Sequence, residues 1–286
     1  MSNISFDLSG KIDQPIVEAL SVLKTVADSL DIQFFIVGAS ARDIVLEYCY
    51  GIDVPRMTRD IDLGVKVGDW EQFKKLENSL IATGKFLHDK KAQQRFYFNS
   101  IIIDVIPFGP IADKHVRLSW PPEHEIFMSL SGFKEAYESS MTVRLSSVPV
   151  LDIRVPTLAG LAILKLISWK EKYPERRKDA EDLLLIMNKY EIAGNLDRLY
   201  GDKQGLLQEE DFDTTPAGIR LLGEDMAAIA DPDTLEAVRQ ILEAEMEPQS
   251  QHRLAKDMAL GASIFDSKFE EIIHKLEKLR RGSAGR

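Results

Sequence analysis

A short apolar run that meets a glycine and continues as a helix is the feature that most restricts how this chain can fold. Phe34–Val37 is wholly apolar, Gly38 follows it, and Ala39–Tyr48 then carries apolar residues at helical spacing. Such a run predicts a buried strand, a tight turn and a helix. Free backbone N–H groups at the start of that helix attract anions, and a glycine lets an anion approach closely. Ser40 either caps the helix or adds a hydroxyl donor to such a site.

Two carboxylates lie on the next short strand pattern. Asp60 and Asp62 alternate with Ile61 and Leu63, and residues two apart in a strand point to the same face. Adjacent carboxylates repel one another, so burying both is costly unless a cation lies between them. Oxygen ligands of this kind suit Mg²⁺. A solvated strand end accounts for most isolated pairs of this type, so the pair predicts a metal site only in combination with other motifs.

A third carboxylate follows on a predicted β-hairpin. Gln94–Phe98 and Ile101–Ile106 flank Asn99–Ser100, which predicts two strands joined by a short turn. Asp104 is the only charged residue of the second strand, and no Lys or Arg is adjacent to it in the sequence. We predict that it faces the earlier carboxylate pair across one metal site.

Together these motifs resemble those of the polymerase-β-like nucleotidyltransferases, which have a Gly-x-Ser turn opening a helix, an Asp-x-Asp strand and a third Asp on a later strand. Val37–Asp43 is similar to the opening motif of that superfamily. Thr58–Leu63 is similar to the form found in the abortive-infection toxins of type IV toxin–antitoxin systems. The resemblance covers residues 34–187. One difference is the longer connection between Ser40 and Asp60, whose additional residues, around Cys49–Met57, are unexplained.

This resemblance implies an α+β fold with a nucleotidyltransferase-type mixed sheet. It also implies transfer of a nucleoside monophosphate from a nucleoside triphosphate to an acceptor hydroxyl. Mg²⁺ or Mn²⁺ would be held by Asp60, Asp62 and Asp104, and two such ions would stabilise the attacking and leaving oxygens. Asp104 would also help to deprotonate the acceptor. The residues that would bind the nucleotide are Gly38, Ser40 and Arg42.

Composition changes near residue 155, and we predict a domain boundary there. Residues 1–155 contain the strands and helices described above and form the predicted catalytic domain. Residues 156–286 contain almost only helical periodicity, beginning with Thr157–Trp169, and form a helical domain that would complete the nucleotide site. The proline-interrupted segment 108–125 is predicted to be a loop. The basic end, residues 275–282, is predicted to be a disordered tail.

One lysine interrupts the first helix of the second domain. Lys165 lies in an otherwise apolar stretch, and a buried lysine is costly without an anion. The common alternative is a side chain that extends along the apolar surface to reach solvent. Lys165–Lys170 and Arg176–Leu183 resemble later motifs of the same toxins. By that resemblance Lys165 would contact the triphosphate and Asp179 would take an acidic catalytic position, with Asp182 as a structural partner on the same helix face.

Composition limits the class of protein. The 286 residues carry a net charge of −10 and a pI near 5.1, which argues against general nucleic-acid binding but permits an RNA held by a local basic patch. Cys49 is the single cysteine, so an intrachain disulfide and a cysteine zinc site are excluded, and a reducing cytoplasm is expected. Residues 1–10 lack the features of a secretory signal, and no apolar run is long enough to cross a bilayer, so no membrane partner is expected.

The sequence leaves the acceptor open. Resemblance to the toxins suggests an RNA such as tRNA, and the basic residues Lys170, Lys172 and 176–178 could meet a phosphate backbone. A protein hydroxyl or a small molecule such as an aminoglycoside is an alternative. A further alternative is a non-catalytic nucleotide-binding module of the same fold, although the retention of all three carboxylates argues against it. A toxin of this kind would also have an antitoxin protein as its partner.

Overall fold

A computed structural model describes residues 4–55, 58, 60–122, 127–260 and 265–285. The chain divides into two compact units, Met1–Thr157 and Leu158–Arg286. The first unit combines a β-sheet with helices, and the described part of the second is helical. The fold is therefore α+β followed by a helical region, which confirms the predicted fold class. None of the described helices is both long and apolar enough to cross a membrane.

Strands of the first unit form one mixed sheet with eight members among the described residues, and a separate two-stranded sheet. The order in the large sheet is β1-β9-β10-β2-β3-β6-β5-β4, so the third strand lies between the second and the sixth. β3 runs antiparallel to β2 and parallel to β6. The strands are β1 Ile4–Asp7, β2 Gln33–Val37, β3 Ile61–Lys66, β4 Phe86–His88, β5 Arg95–Phe98, β6 Ile101–Phe108, β7 Arg117–Ser119, β8 Phe127–Ser129, β9 Met141–Ser147 and β10 Val150–Val155.

The strand β2 is buried over its last four residues, all of them apolar, which is typical of a strand covered on both faces. Phe35 on β2 is fully buried, and its ring lies edge-on to Phe108, 5.4 Å between centroids, and to Tyr137, 5.5 Å away. These rings anchor the end of the sheet opposite the turn at Gly38. The helices of the first unit are α1 Gln14–Ser29, α2 Gly38–Asp43, which continues as a π-helical segment Ile44–Cys49, α3 Trp70–Ala82 and α4 Phe133–Glu138.

The second unit packs its helices around a core of its own. Leu161, Leu183 and Leu222 are among the fully buried side chains of this core. Its helices are α5 Leu158–Glu171, α6 Arg177–Lys189, α7 Leu196–Tyr200, α8 Gln204–Glu209, α9 Thr214–Ile229, α10 Pro232–Met246, α11 Arg253–Ala259 and α12 Phe265–Ser283.

The prediction of a disordered tail is wrong, because residues 275–282 lie within α12. Leu276 and Leu279 are buried there. α12 packs against α9 so closely that a Cβ on Gly282 would lie 2.1 Å from the Arg220 carbonyl oxygen. The basic residues that suggested a solvated end occupy the outer face of an amphipathic helix, as Arg280 and Arg281 both pair with Glu277.

Other predicted segments also differ from the structure. The segment 108–125 is not wholly a loop, because β7 within it pairs with β8. Residues 123–126 lie outside the described residues, and so do 56, 57 and 59 of the long connection before Asp60. The short strands β1 and β4 and the short helices α7, α8 and α11 were not predicted. Each has seven residues or fewer.

Candidate active site

Two of the three predicted carboxylates lie side by side on neighbouring strands. β3 and β6 are parallel, and Asp62 is the register partner of Asp104. Residues in register on paired strands point to the same face, and the strands are about 4.8 Å apart. Both side chains are half-buried. The sheet therefore presents two adjacent carboxylates at the end where β2 gives way to Gly38.

Gly38 packs directly against one of these carboxylates. Val37, the last residue of β2, is the register partner of Asp62, and the chain turns at Gly38 with φ of +69°. A Cβ at this position would lie 2.0 Å from Asp62 Oδ2. Glycine is thus required both by the left-handed backbone and by the close approach. The turn predicted from the apolar run brings the start of α2 beside the Asp62 carboxylate.

Ser40 lies in the first turn of α2 and is half-buried. Its hydroxyl donates to the carbonyl oxygen of Val37 at 3.2 Å. No side-chain capping hydrogen bond is present at the start of α2. Ser40 therefore does not act as the helix cap, which was the simpler of its two predicted roles, and its oxygen lies at the same end of the sheet as Asp62.

Arg42 and Asp43 form a buried ion pair on α2. Their exposed fractions are 2% and 3%, and Arg42 Nε donates to Asp43 Oδ1 at 2.8 Å. Asp43 Oδ2 accepts from the backbone N–H of Thr58 at 2.8 Å. The Thr58 hydroxyl in turn accepts from the N–H of Asp60 at 3.3 Å. In this arrangement Arg42 contacts the carboxylate that accepts from the Thr58 backbone, and its predicted role in binding nucleotide stays a prediction.

Asp60 lies one residue before β3 and is exposed. Among the residues that the structure describes, no group of three or more His, Cys, Asp or Glu side chains is arranged to hold a metal ion. The sheet places Asp62 beside Asp104, and the convergence of Asp60 with this pair stays a prediction. The metal role of all three stays a prediction.

Asp104 has a cationic partner that the sequence analysis missed. Arg95 on β5 is its register partner in the antiparallel hairpin. Arg95 Nε donates to Asp104 Oδ1 and Nη2 to Asp104 Oδ2, both at 2.8 Å. Hydrogen bonding to this carboxylate raises the pKa of Arg95. A two-residue turn at Asn99–Ser100 places residues 95 and 104 opposite one another, so this pair was available from the hairpin alone.

A cavity of about 320 Å³ lies beside Asp60 and the start of α2. Its wall is apolar where α1 faces α2, and polar at Ser40, Thr58 and Asp60. Such a mixed lining suits a small organic group next to the candidate site. The remaining lining residues are Ile12, Asp13, Ile16, Leu20, Ile36, Asp43, Ile44, Tyr48 and Ile61.

Lys165 is buried in the second unit between two carboxylates. Its Nζ lies 2.8 Å from Asp179 Oδ1 and 2.7 Å from Asp182 Oδ2, and its exposed fraction is 6%. Burial lowers the pKa of Lys165, but the charges of Asp179 and Asp182 outweigh it and raise the pKa above the ordinary value. Ser168 also donates to Asp179, at 2.9 Å. The alternative in which Lys165 reaches solvent is wrong, and Asp182 shares with Asp179 the contact to its ammonium group.

A family model described as a nucleotidyl transferase AbiEii toxin of a type IV toxin–antitoxin system matches residues 21–273. This match spans most of the chain and includes every residue discussed above as a candidate. A search of curated proteins found no match.

Solved structures with detectable similarity are distant. The antibiotic-resistance factor ANT(2'')-Ia is 14% identical over 70% of this chain and 98% of its own, with a TM-score of 0.36. A CCA-adding enzyme in complex with ATP is 16% identical over 91% of this chain and 66% of its own, with a TM-score of 0.33. The Thermotoga maritima CCA-adding enzyme complexed with tRNA is 13% identical over 96% and 82%, with a TM-score of 0.30.

Proposed function

Because this chain belongs to the AbiEii nucleotidyltransferase toxin family of type IV toxin–antitoxin systems, we propose that it transfers a nucleoside monophosphate from a nucleoside triphosphate to an acceptor hydroxyl with the help of a divalent metal. Its family makes the chain a nucleotidyltransferase. The divalent metal, the nucleoside triphosphate and the acceptor hydroxyl are parts of the proposal. The bond between the α-phosphorus and the oxygen bridging to the β-phosphate breaks. A bond from the acceptor oxygen to the α-phosphorus forms, the acceptor proton passes to a base, and pyrophosphate leaves.

The register of Asp62 with Asp104 beside Gly38 is the observation that carries this proposal. Two adjacent carboxylates offer the oxygen donors that Mg²⁺ and Mn²⁺ prefer, and the glycine turn brings the start of α2 against one of them. The donor set therefore fits a divalent ion held by Asp62 and Asp104, with Asp60 as a further ligand. When bound, such an ion neutralises charge on the phosphates and on the attacking oxygen.

The other residues of the first unit have positioning roles in this proposal. The N–H groups at the start of α2 and the Ser40 hydroxyl would bind the triphosphate, since a helix start attracts phosphate. Arg42 acts indirectly, because its contact with Asp43 holds the Thr58 backbone that precedes Asp60. Both oxygens of Asp104 accept from Arg95, so proton removal by Asp104 requires that pair to open.

Contributions of Lys165 and Asp179 to the same reaction stay predictions from the family resemblance. Lys165→Arg keeps the positive charge between the two carboxylates, so it separates a role in transfer from a role in folding. If Lys165 is needed for the reaction, Lys165→Arg should lower the transfer rate while the melting temperature stays near that of the wild type. An unchanged rate would assign Lys165 to the structure of the second unit alone.

RNA is the acceptor we propose, with an antitoxin protein as the partner that restrains the enzyme. Residues 176–178 are basic and exposed at the start of α6, which supports contact with a phosphate backbone. Arg177 and Arg176 each lie near a carboxylate of their own helix, so this patch is small. The net charge of −10 argues against broad binding of RNA, so a protein hydroxyl and a small-molecule hydroxyl are the alternative acceptors.

Incubation with nucleoside triphosphates labelled at the α- or the γ-phosphate tests the proposal. Each nucleotide is combined with Mg²⁺ or Mn²⁺ and with purified tRNA, other RNA, or an RNA-free lysate. We expect label from the α-phosphate, and none from the γ-phosphate, in the tRNA fraction. Label in protein or in small molecules would replace RNA as the acceptor and retain the transfer reaction.

Two substitutions on the same sheet provide the matched control. Asp62→Asn removes one charge at the candidate site and should abolish transfer. Asp152→Asn removes a half-buried carboxylate that pairs with Arg144 on strands β9 and β10, and it should leave transfer unchanged. Equal activity of Asp62→Asn and the wild type would refute the proposed site. So would a complete absence of α-label in every fraction with every nucleotide.

A further inference from the structure

A row of charged side chains crosses three adjacent strands at the candidate site. Arg95 is opposite Asp104 in the antiparallel pair of β5 and β6, and Asp104 is opposite Asp62 in the parallel pair of β6 and β3. Residues in register share one face of the sheet. Arg95, Asp104 and Asp62 therefore lie on the same face, with Asp104 in the middle.

The contact between Arg95 and Asp104 occupies both oxygens of the carboxylate. The guanidinium donates through Nε and Nη2 at 2.8 Å each, which is the two-pronged geometry that makes such pairs strong. The side chains are 33% and 17% exposed, respectively, so the pair is accessible from solvent. Arg95 thus brings a positive charge to Asp104, which is the register partner of Asp62.

We propose that Arg95 is a displaceable internal counter-ion of Asp104, and that a divalent metal must remove it from this carboxylate in order to bind. This rests on the proposed function, in which Asp62 and Asp104 hold the metal. A divalent ion held jointly by Asp104 and Asp62 would lie on the same face of the sheet as the guanidinium, because the three residues are in register. The two cations would also repel one another at contact distance. Arg95 is therefore a positioning residue that weakens metal binding and keeps the two carboxylates stable before the metal arrives.

A second arginine–aspartate pair on the same sheet serves as the control. Arg144 on β9 and Asp152 on β10 are register partners, and their two hydrogen bonds measure 2.8 and 3.1 Å. Their side chains are 25% and 19% exposed. This pair resembles the Arg95–Asp104 pair in geometry and burial, but β10 and β2 separate β9 from β3, which carries Asp62.

Mn²⁺ binding to the nucleotide-free full chain, followed by electron paramagnetic resonance or calorimetry, tests the inference. We expect Arg95→Gln to bind Mn²⁺ at least tenfold more tightly than the wild type. Arg95→Lys, which keeps the charge but loses the two-pronged contact, should be intermediate. Arg144→Gln should bind as the wild type does. The gain should disappear in Arg95→Gln combined with Asp62→Asn, because the metal then lacks its second carboxylate.

Thermal unfolding gives a readout that does not depend on affinity measurements. Without metal, Arg95→Gln should melt below the wild type, since Asp104 loses its hydrogen-bonded cation beside a second carboxylate. Saturating Mn²⁺ should recover more stability in Arg95→Gln than in the wild type.

Three results would contradict the inference, and each identifies a different step that is wrong. Equal Mn²⁺ affinity in the wild type and Arg95→Gln would overturn the role of Arg95 and leave the metal site in place. An equal gain in Arg144→Gln would also overturn it, since the effect would then follow from net charge alone. Absence of Mn²⁺ binding in every variant would overturn the proposed metal site together with this inference.

Discussion

Lys165→Met should destabilise the second unit strongly. Lys165 lies 2.8 and 2.7 Å from two carboxylate groups that are themselves buried, at 5% and 3% exposure for Asp179 and Asp182. Methionine fills a similar volume but leaves two like charges together away from water. Breaking a buried ion pair by removing one partner costs about 3–5 kcal/mol. For a domain of this size that corresponds to a fall in melting temperature of roughly 10–20 °C.

A less buried ion pair in the same unit provides the comparison. Lys203 lies 2.8 Å from Glu224, but the two side chains are 33% and 23% exposed. Lys203→Met removes the same functional group from a solvated pair, so it should cost about 0–1 kcal/mol. Thermal or urea unfolding of both variants, followed by circular dichroism, measures the difference.

A compensating triple variant separates charge from packing. Adding Asp179→Asn and Asp182→Asn to Lys165→Met removes the unpaired carboxylates and should restore much of the lost stability. Equal melting temperatures for Lys165→Met and Lys203→Met would refute the reasoning, because the buried cluster would then contribute no more than a surface pair.

Three further predictions follow from close packing and from one perturbed carboxylate. Gly38→Ala should abolish transfer and lower the melting temperature, because the new Cβ would overlap the adjacent carboxylate oxygen. Label transfer and calorimetry measure the two effects. Gly68→Ala, where the nearest atom to the new Cβ is 3.7 Å away, is the control. Gly282→Ala should lower the melting temperature, because its Cβ would meet a carbonyl of the facing helix at 2.1 Å; unchanged melting would contradict that contact. Hydrogen bonds from the neighbouring arginine lower the pKa of Glu277 from 4.5 to about 2, so its contribution to stability is full above pH 4.5 and is lost as the pH falls through about 2. Melting curves of Glu277→Gln and the wild type should therefore differ near neutral pH and converge at low pH, and a constant difference would rule out this linkage.

Local sequence determined the parts of the candidate site that depend on neighbouring residues. The apolar run before Gly38 predicted the strand, the turn and the helix. The hairpin around Asn99–Ser100 predicted the strand that carries Asp104, and its two-residue turn already implied Arg95 as the opposite residue. Period-two spacing predicted that Asp62 would face the site. In each case the controlling interactions are turn geometry and strand alternation, which act over a few residues.

Contacts between distant segments were decided only by the tertiary structure. The sequence marked Lys165 as an unusual charge, but its partners come from α6, and packing of α5 against α6 selected Asp179 and Asp182 together. Helical periodicity alone did not show whether residues 275–282 form a solvated end or part of a packed helix. The burial of α12 depends on the fit of Gly282 against α9. The sequence predicted that Asp60 and Asp104 lie at one metal site. It did not predict that Asp104 also pairs with Arg95 on the neighbouring strand. Such contacts depend on which side chains from distant parts of the chain come together in the fold. Burial and electrostatic pairing select among arrangements that local secondary-structure propensity alone would make equally favourable.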